Sequence, residues 1–176
     1  MFLKAIGPVL VLLLCSELRA QTIDSSFWTE AGFDVPVDVR SAPNFRLESL
    51  NGSKVELLSI RSRLIIVHFW ATYCIPCRAE MKELSKLQGQ FSRRELLVIA
   101  ISIDNHDGAV SQFLQREVIQ NLLVVRNRSQ ELRSSYAVNA IPVSYIIVDR
   151  QIRARIKGTG NWNPHNWKEI LAELNP

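Results

Sequence analysis

Cys74 and Cys77 are separated by two residues in "FWATYCIPCRAE", the stretch from Phe69 to Glu80. Thiols at this spacing can hold a soft metal, close a small disulfide, or exchange a disulfide with another molecule. Zinc needs three or four protein ligands. No second cysteine pair follows, and His68, His106 and His165 lie far apart with no ligand spacing. Two thiolates can bind Cu(I), so copper stays open, although Met81 is the only methionine besides the initiator. A structural staple is weak chemistry here, because so small a loop removes little chain entropy. A chain of 176 residues also has enough material for a core without one. Exchange needs a thiolate to attack and a second thiol close enough to resolve the mixed disulfide, which this spacing provides.

The flanking residues show how such a pair is positioned. "RLIIVHFW" is a continuous apolar run rich in β-branched and aromatic residues, the pattern of a strand buried on both faces. After Cys77 the period changes. Met81, Leu84, Leu87 and Phe91 recur near helical spacing with Lys82, Glu83 and Lys86 between them. The pair therefore sits at a strand-to-helix junction. Pro76 suits the first helical turn, where no backbone donor is needed. Unpaired N–H groups and the helix dipole at that end favour a thiolate at Cys74.

The rest of the chain alternates. Asn51-Gly52 between alternating residues predicts a hairpin. "ELLVIAIS" and "NLLVVRN" read as further strands, and "DGAVSQFLQREV" as a helix with Asp107 at its N-cap. "SQELRSSYAV" reads as a short helix, and "VSYIIVDRQIRARIKG" as two strands turning at Asp149-Arg150. A last helix opens at Asn163-Pro164. The expected fold is α/β, a central mixed sheet flanked by helices. Residues 21–41 show no period and are expected to form an arm, with a short helix at "SSFWTE". Trp28 and Trp162 fit either packing or a partner surface.

Charge narrows the function classes. The formal charge is +4 and the arginines are scattered, which gives no nucleic-acid footprint. Residues 1–20, "MFLKAIGPVLVLLLCSELRA", have a basic start, an apolar run and a small residue, Ala20, at the end. This is the layout of a cleaved secretory leader. Cys15 within it raises lipidation as an alternative, a membrane tether, although Leu14 is larger than the residue such signals place there. Loss of the leader leaves only Cys74 and Cys77, in a periplasmic or otherwise extracytoplasmic compartment where disulfides persist.

Three segments carry a resemblance. "FWATYCIPCRAEM", "YAVNAIPVSYIIVD" (Tyr136 to Asp149) and "APNFRLESLNGSKVELLSI" are similar to the active-site motif, the cis-proline segment and the N-terminal β-hairpin of exported TlpA/ResA-like thiol–disulfide oxidoreductases, within the thioredoxin superfamily. The likeness runs from Ala42 to the C-terminus. It implies a thioredoxin-like domain over 42–176 with an N-terminal β-hairpin extension, catalysis by Cys74 and Cys77, and a cis bond between Ile141 and Pro142. Trp70, Tyr73, Ile75, Pro76 and Ile141 would form the substrate-binding surface. The implied partners are a protein disulfide, for instance in cytochrome c maturation, and a membrane thiol reductant of the DsbD/CcdA kind. No cofactor or metal is implied, and a monomer is expected. Oxidase or isomerase chemistry on the same fold remains the alternative.

Two positions near the pair add to the pattern. His68, six residues before Cys74, stands where cytosolic relatives carry a buried Asp. It is read either as an acceptor for the Cys77 proton or as a satisfied polar residue in the sheet. Glu80, one turn after Cys77, is read either as tuning the thiols or as a solvated helix residue. Peroxidase chemistry fits poorly. The peroxidatic pattern puts a Thr three residues before its cysteine with a proline further back, whereas Thr72 is two before Cys74 and no proline stands in the run before it.

Overall fold

The computed structural model describes residues 25–30, 33–35 and 40–174; the leader at 1–20 and much of the arm lie outside these. Two strands form the centre, β4 (Leu64–Trp70) and β5 (Leu96–Ser102). They pair in parallel and every residue of both is buried. The alternation explains why both runs are apolar throughout. Ile65, Val67 and Phe69 join one core, while Leu64 and Ile66 join a second on the opposite face.

Around this pair the sheet grows in both directions. On one side β7 (Val143–Val148) is antiparallel to β4. β8 (Gln151–Lys157) is antiparallel to β7, and β1 (Arg40–Ser41) caps the edge. Asp149 and Arg150 make the β7–β8 turn, both with positive φ, which the short polar-headed Asp adopts more readily than most residues. On the other side β6 (Leu123–Arg126) is parallel to β5. The expected hairpin, β2 (Arg46–Ser49) with β3 (Lys54–Glu56), continues the same sheet through β2 against β6. Among the described residues the strand order is β1-β8-β7-β4-β5-β6-β2-β3.

Helices cover both faces. α2 (Ile75–Gly89) buries Cys77, Glu80, Met81, Leu84, Leu87 and Gln88. It stops before Phe91, which packs against the core beyond the helix end rather than continuing its stripe. α3 (Asp107–Arg116) places Val110 and Phe113 beside Trp70, and α4 (Gln130–Ser135) places Leu132 against the opposite core. α5 (Pro164–Glu173) starts at the Asn163 cap, whose side chain accepts the His165 N–H. Asp107 is not the N-cap of α3. His106 holds that position, and the Asp107 carboxylate is drawn to Arg126 at 2.6 Å and Arg128 at 2.8 Å. The described part of the arm is seated on the domain. α1 (Ser25–Glu30) buries Trp28, and Phe33 contacts the rings of both Trp28 and Trp167. Asp34 bridges to Arg155 of β8. Trp28 and Trp162 are thus packing residues, 1% and 3% exposed.

One polar side chain completes the sheet. β6 pairs with β5 only from Ile99 onward, so among the described residues no strand lies beside the backbone of Leu96 and Val98 on that side. Buried Gln88 fills that gap. Its amide donates to the Leu96 carbonyl at 3.0 Å and accepts the Val98 N–H at 2.8 Å. Gln88→Leu would orphan both backbone groups, each costing about 1–3 kcal/mol. Urea denaturation of the variant is expected to show a loss of about 2–6 kcal/mol, with the Cys74–Cys77 couple unchanged; a loss under about 0.5 kcal/mol would refute the role.

Candidate active site

α2 begins where the short junction from β4 ends. Its N-cap is Cys74, with extended backbone (φ −85°, ψ 106°), and the Cys77 N–H donates to Cys74 Sγ at 3.3 Å. The first helical bond runs from the Arg78 N–H to the Cys74 carbonyl at 3.1 Å. Pro76 lies in the first turn, where its missing N–H costs nothing. Cys74 and Cys77 are joined as a disulfide, S–S 2.06 Å. The two sulfurs are not equivalent. Cys77 is fully buried against Trp70 and Met81, while Cys74 is half-buried at the rim.

The rim is apolar and exposed. Tyr73 and Ile75 are 70% and 77% exposed, and Pro76 is exposed beside them. Across from them the Ile141 carbonyl oxygen lies 3.9 Å from Cys74 Sγ. The Ile141–Pro142 bond is cis, as the resemblance implied. Pro142 is buried, and its carbonyl accepts the Gly158 N–H at 2.9 Å. The fold therefore brings Tyr73, Cys74, Ile75 and Ile141 together from two segments far apart in sequence.

Trp70 does not belong to that surface. It is fully buried, its ring 5.3 Å from that of Phe113, and it offers no area to a substrate chain. The all-buried end of β4 explains this, since its last side chain points under α2 and α3 rather than out.

Glu80 is not a solvated helix residue. It is 3% exposed. Its Oε1 accepts the Gly160 N–H at 2.7 Å and the Trp162 indole N–H at 2.6 Å, while Oε2 is buried without a partner among the described residues. Desolvation raises the carboxyl above its ordinary value, although both hydrogen bonds pull the other way. Trp162 and Gly160 were not legible as partners of Glu80. Gly160 is needed for close approach, because a Cβ there would stand 2.8 Å from the Trp162 ring.

His68 is fully buried with Nδ1 at 2.8 Å from Ser144 Oγ, its opposite residue on β7. Burial pushes its pKa down to about 3. A base that weak does not hold a proton near neutrality, so burial opposes the reading of His68 as proton acceptor and favours the packed polar residue. Nε2 has no partner. Among the described residues no three His, Cys, Asp or Glu side chains come together as a metal-ligand cluster.

The comparisons with known proteins agree with this geometry. Over 169 residues the chain is 26% identical to the thiol-disulfide oxidoreductase ResA of Bacillus thuringiensis subsp. konkukian, covering 96% of this chain and 94% of that one. A thiol-disulfide oxidoreductase from Bacteroides fragilis superposes with a TM-score of 0.61 at 25% identity, over 74% of this chain and 99% of the other. A thiol:disulfide interchange protein of the thioredoxin family from Chlorobium tepidum shares the fold at a TM-score of 0.67 and 21% identity, over 77% and 99%. The AhpC/TSA family model matches residues 39–155, a span that runs from β1 through both cysteines and the cis-proline into β8, and the chain belongs to this thioredoxin-like family.

Proposed function

We propose that this thiol–disulfide oxidoreductase works as a reductase of protein disulfides outside the cytoplasm. The observation that carries the reading is the unequal placement of the two sulfurs. Cys74 is at the rim and at a helix N-terminus, and Cys77 is enclosed behind it. In the reduced protein the Cys74 thiolate attacks one sulfur of the substrate disulfide. A Cys74–substrate disulfide forms, and the other substrate sulfur leaves as a thiolate and takes a proton. Cys77 then loses its proton and attacks Cys74 Sγ. The internal disulfide forms and the second substrate thiol is released. Two electrons and two protons pass to the substrate. A membrane thiol reductant of the DsbD/CcdA kind restores the dithiol.

Roles for the neighbours follow. The carbonyl of Ile141 faces Cys74, and the proline after it cannot donate a hydrogen bond, so the backbone there is free to pair with an extended substrate chain. Tyr73, Ile75 and Pro76 give that chain an apolar seat. Glu80, one helical turn beyond Cys77, accepts the Cys77 proton in this reading, its affinity for a proton raised by desolvation. When ionised it also opposes a thiolate beside it. That destabilises the dithiol and makes the couple more reducing, which supports the reductase direction. Disulfides of exported proteins, including the paired cysteines of an apocytochrome c, are the substrate class this reading favours. Export rests on residues 1–20; among the described residues no helix is long and apolar enough to cross a membrane. The domain works as a monomer in this reading.

The direction is tested by equilibrating leaderless protein against a thiol redox buffer. A potential near or below about −220 mV is expected, and a value near about −120 mV would make the protein a disulfide donor instead. Cys74→Ala and Cys77→Ala are each expected to abolish insulin reduction. Trapping of a substrate as a mixed disulfide is expected only in Cys77→Ala, and trapping only in Cys74→Ala would reverse the assignment of the two sulfurs.

Glu80 adds a pH signature. A carboxyl whose folded pKa is raised contributes stability that is present at low pH, and the contribution is lost as pH rises from the unfolded value of 4.5 through the raised one. Glu80→Gln keeps an acceptor for Gly160 and Trp162 but removes the titration. Its stability curve is expected to be flatter than wild type above pH 4.5, with slower resolution of the mixed disulfide near neutral pH. Parallel curves for the two proteins would show that Glu80 does not titrate in this range.

A further inference from the structure

The junction that presents Cys74 is held by a residue outside the dithiol motif. β5 ends at Ser102, and Asp104 follows two residues later, 9% exposed. Its Oδ1 accepts the Thr72 hydroxyl at 2.6 Å, and its two oxygens share the Thr72 backbone N–H at 3.2 and 3.0 Å. Oδ2 also accepts the Ser102 hydroxyl at 2.9 Å, and the Asp104 N–H returns to Ser102 Oγ at 3.1 Å, which fixes the carboxylate on the strand end. Beside it the Ile103 N–H donates to the Trp70 carbonyl at 2.9 Å, tying the exit of β5 to the exit of β4.

Thr72 lies within the turn closed by the Cys74 N–H on the Ala71 carbonyl at 3.2 Å. Fixing its backbone and side chain together fixes the direction in which the chain enters Cys74. That entry decides whether Cys74 keeps the extended backbone of an N-cap and holds its sulfur over the Cys77 N–H. Charge-assisted bonds to a largely enclosed carboxylate are the strong kind and hold such a short segment in one conformation.

We propose that Asp104 is a positioning residue, which clamps Thr72 so that the Cys74 sulfur stays seated at the N-terminus of α2. The proposal rests on the reading of Cys74 as the attacking sulfur. A purely electrostatic role for Asp104 makes the opposite prediction. A nearby negative charge disfavours the thiolate, so its removal would make Cys74 more reactive. Positioning predicts that Cys74 becomes less reactive when the clamp is broken, even where no charge changes.

Thr72→Val removes the clamped hydroxyl at nearly constant volume and charge, on a residue only half-buried. The test is the pH dependence of iodoacetamide alkylation of the reduced protein, with the modified cysteine located by mass spectrometry. Thr72→Val is expected to alkylate about three- to tenfold more slowly at pH 7, with the profile displaced to higher pH by about half to one unit. Thr72→Ser restores the hydroxyl and is expected to return within about twofold of wild type. Asp104→Asn is expected to slow alkylation as well. Unchanged profiles in Thr72→Val and Asp104→Asn, with wild-type modification on Cys74, would overturn the clamp alone, as would faster alkylation in Asp104→Asn. Modification of Cys77 first in the wild type would instead overturn the reading of Cys74 on which the clamp rests.

Discussion

The site depends on one constraint: β4 is buried on both faces up to its last residue and the chain must then enter α2 at once. A strand with no solvent face cannot slide by one residue without moving its side chains to the wrong core, so its register against β5 and β7 is fixed. The end of β4 therefore has one position, and the short junction after it can deliver Cys74 to only a small region. The helix dipole and the free N–H groups of the first turn supply the electrostatics there. The placement of Cys74 is thus a consequence of sheet packing, because the same sequence on a strand free to shift would not hold a sulfur over the Cys77 N–H.

Buried polar groups show the same logic from the other side. Burying such a group is costly unless it is paired, so each one present should have a partner or a function. Gln88 and Asp104 are fully used: one completes the edge of β5 and the other ties the strand end to Thr72. Glu80 and His68 are only partly used, each with one atom that has no partner among the described residues. Both rings or carboxylates approach Trp162, which bonds Glu80 and stands 6.5 Å from the His68 ring in an edge-on arrangement. The orphaned atoms of Glu80 and His68 thus both lie beside Trp162, on the α2 side of the sheet.

What could be read from the sequence follows the range of each signal. β4, β5 and the start of α2 were legible because burial on two faces and the switch of period are written in adjacent residues. The Asn51-Gly52 and Asp149-Arg150 turns and the Asn163 cap were legible for the same local reason. The cis bond at Pro142 came from resemblance, since an X–Pro bond alone favours trans. Asp107 misled because an acid at a helix start is a good cap until two arginines from another segment compete for it. Trp70 misled because proximity to the dithiol in sequence says nothing about the face on which a strand residue emerges.

Glu80 shows why the remainder was not legible. By period it falls beside Cys77, Met81 and Leu84, on the face that α2 turns inward, yet its charge argues for the outside. The conflict is resolved only by Gly160 and Trp162, which arrive from the far end of the chain after β8. A single sequence marks such a position as inconsistent but cannot name the donor that makes it tolerable. Inconsistency of this kind is itself informative, because a fold keeps an acid in its interior against the cost of desolvation only where geometry supplies hydrogen bonds or chemistry uses the proton. Here geometry supplies two bonds to one oxygen and, among the described residues, none to the other, so hydrogen bonding offsets only part of the desolvation cost one turn of helix from Cys77.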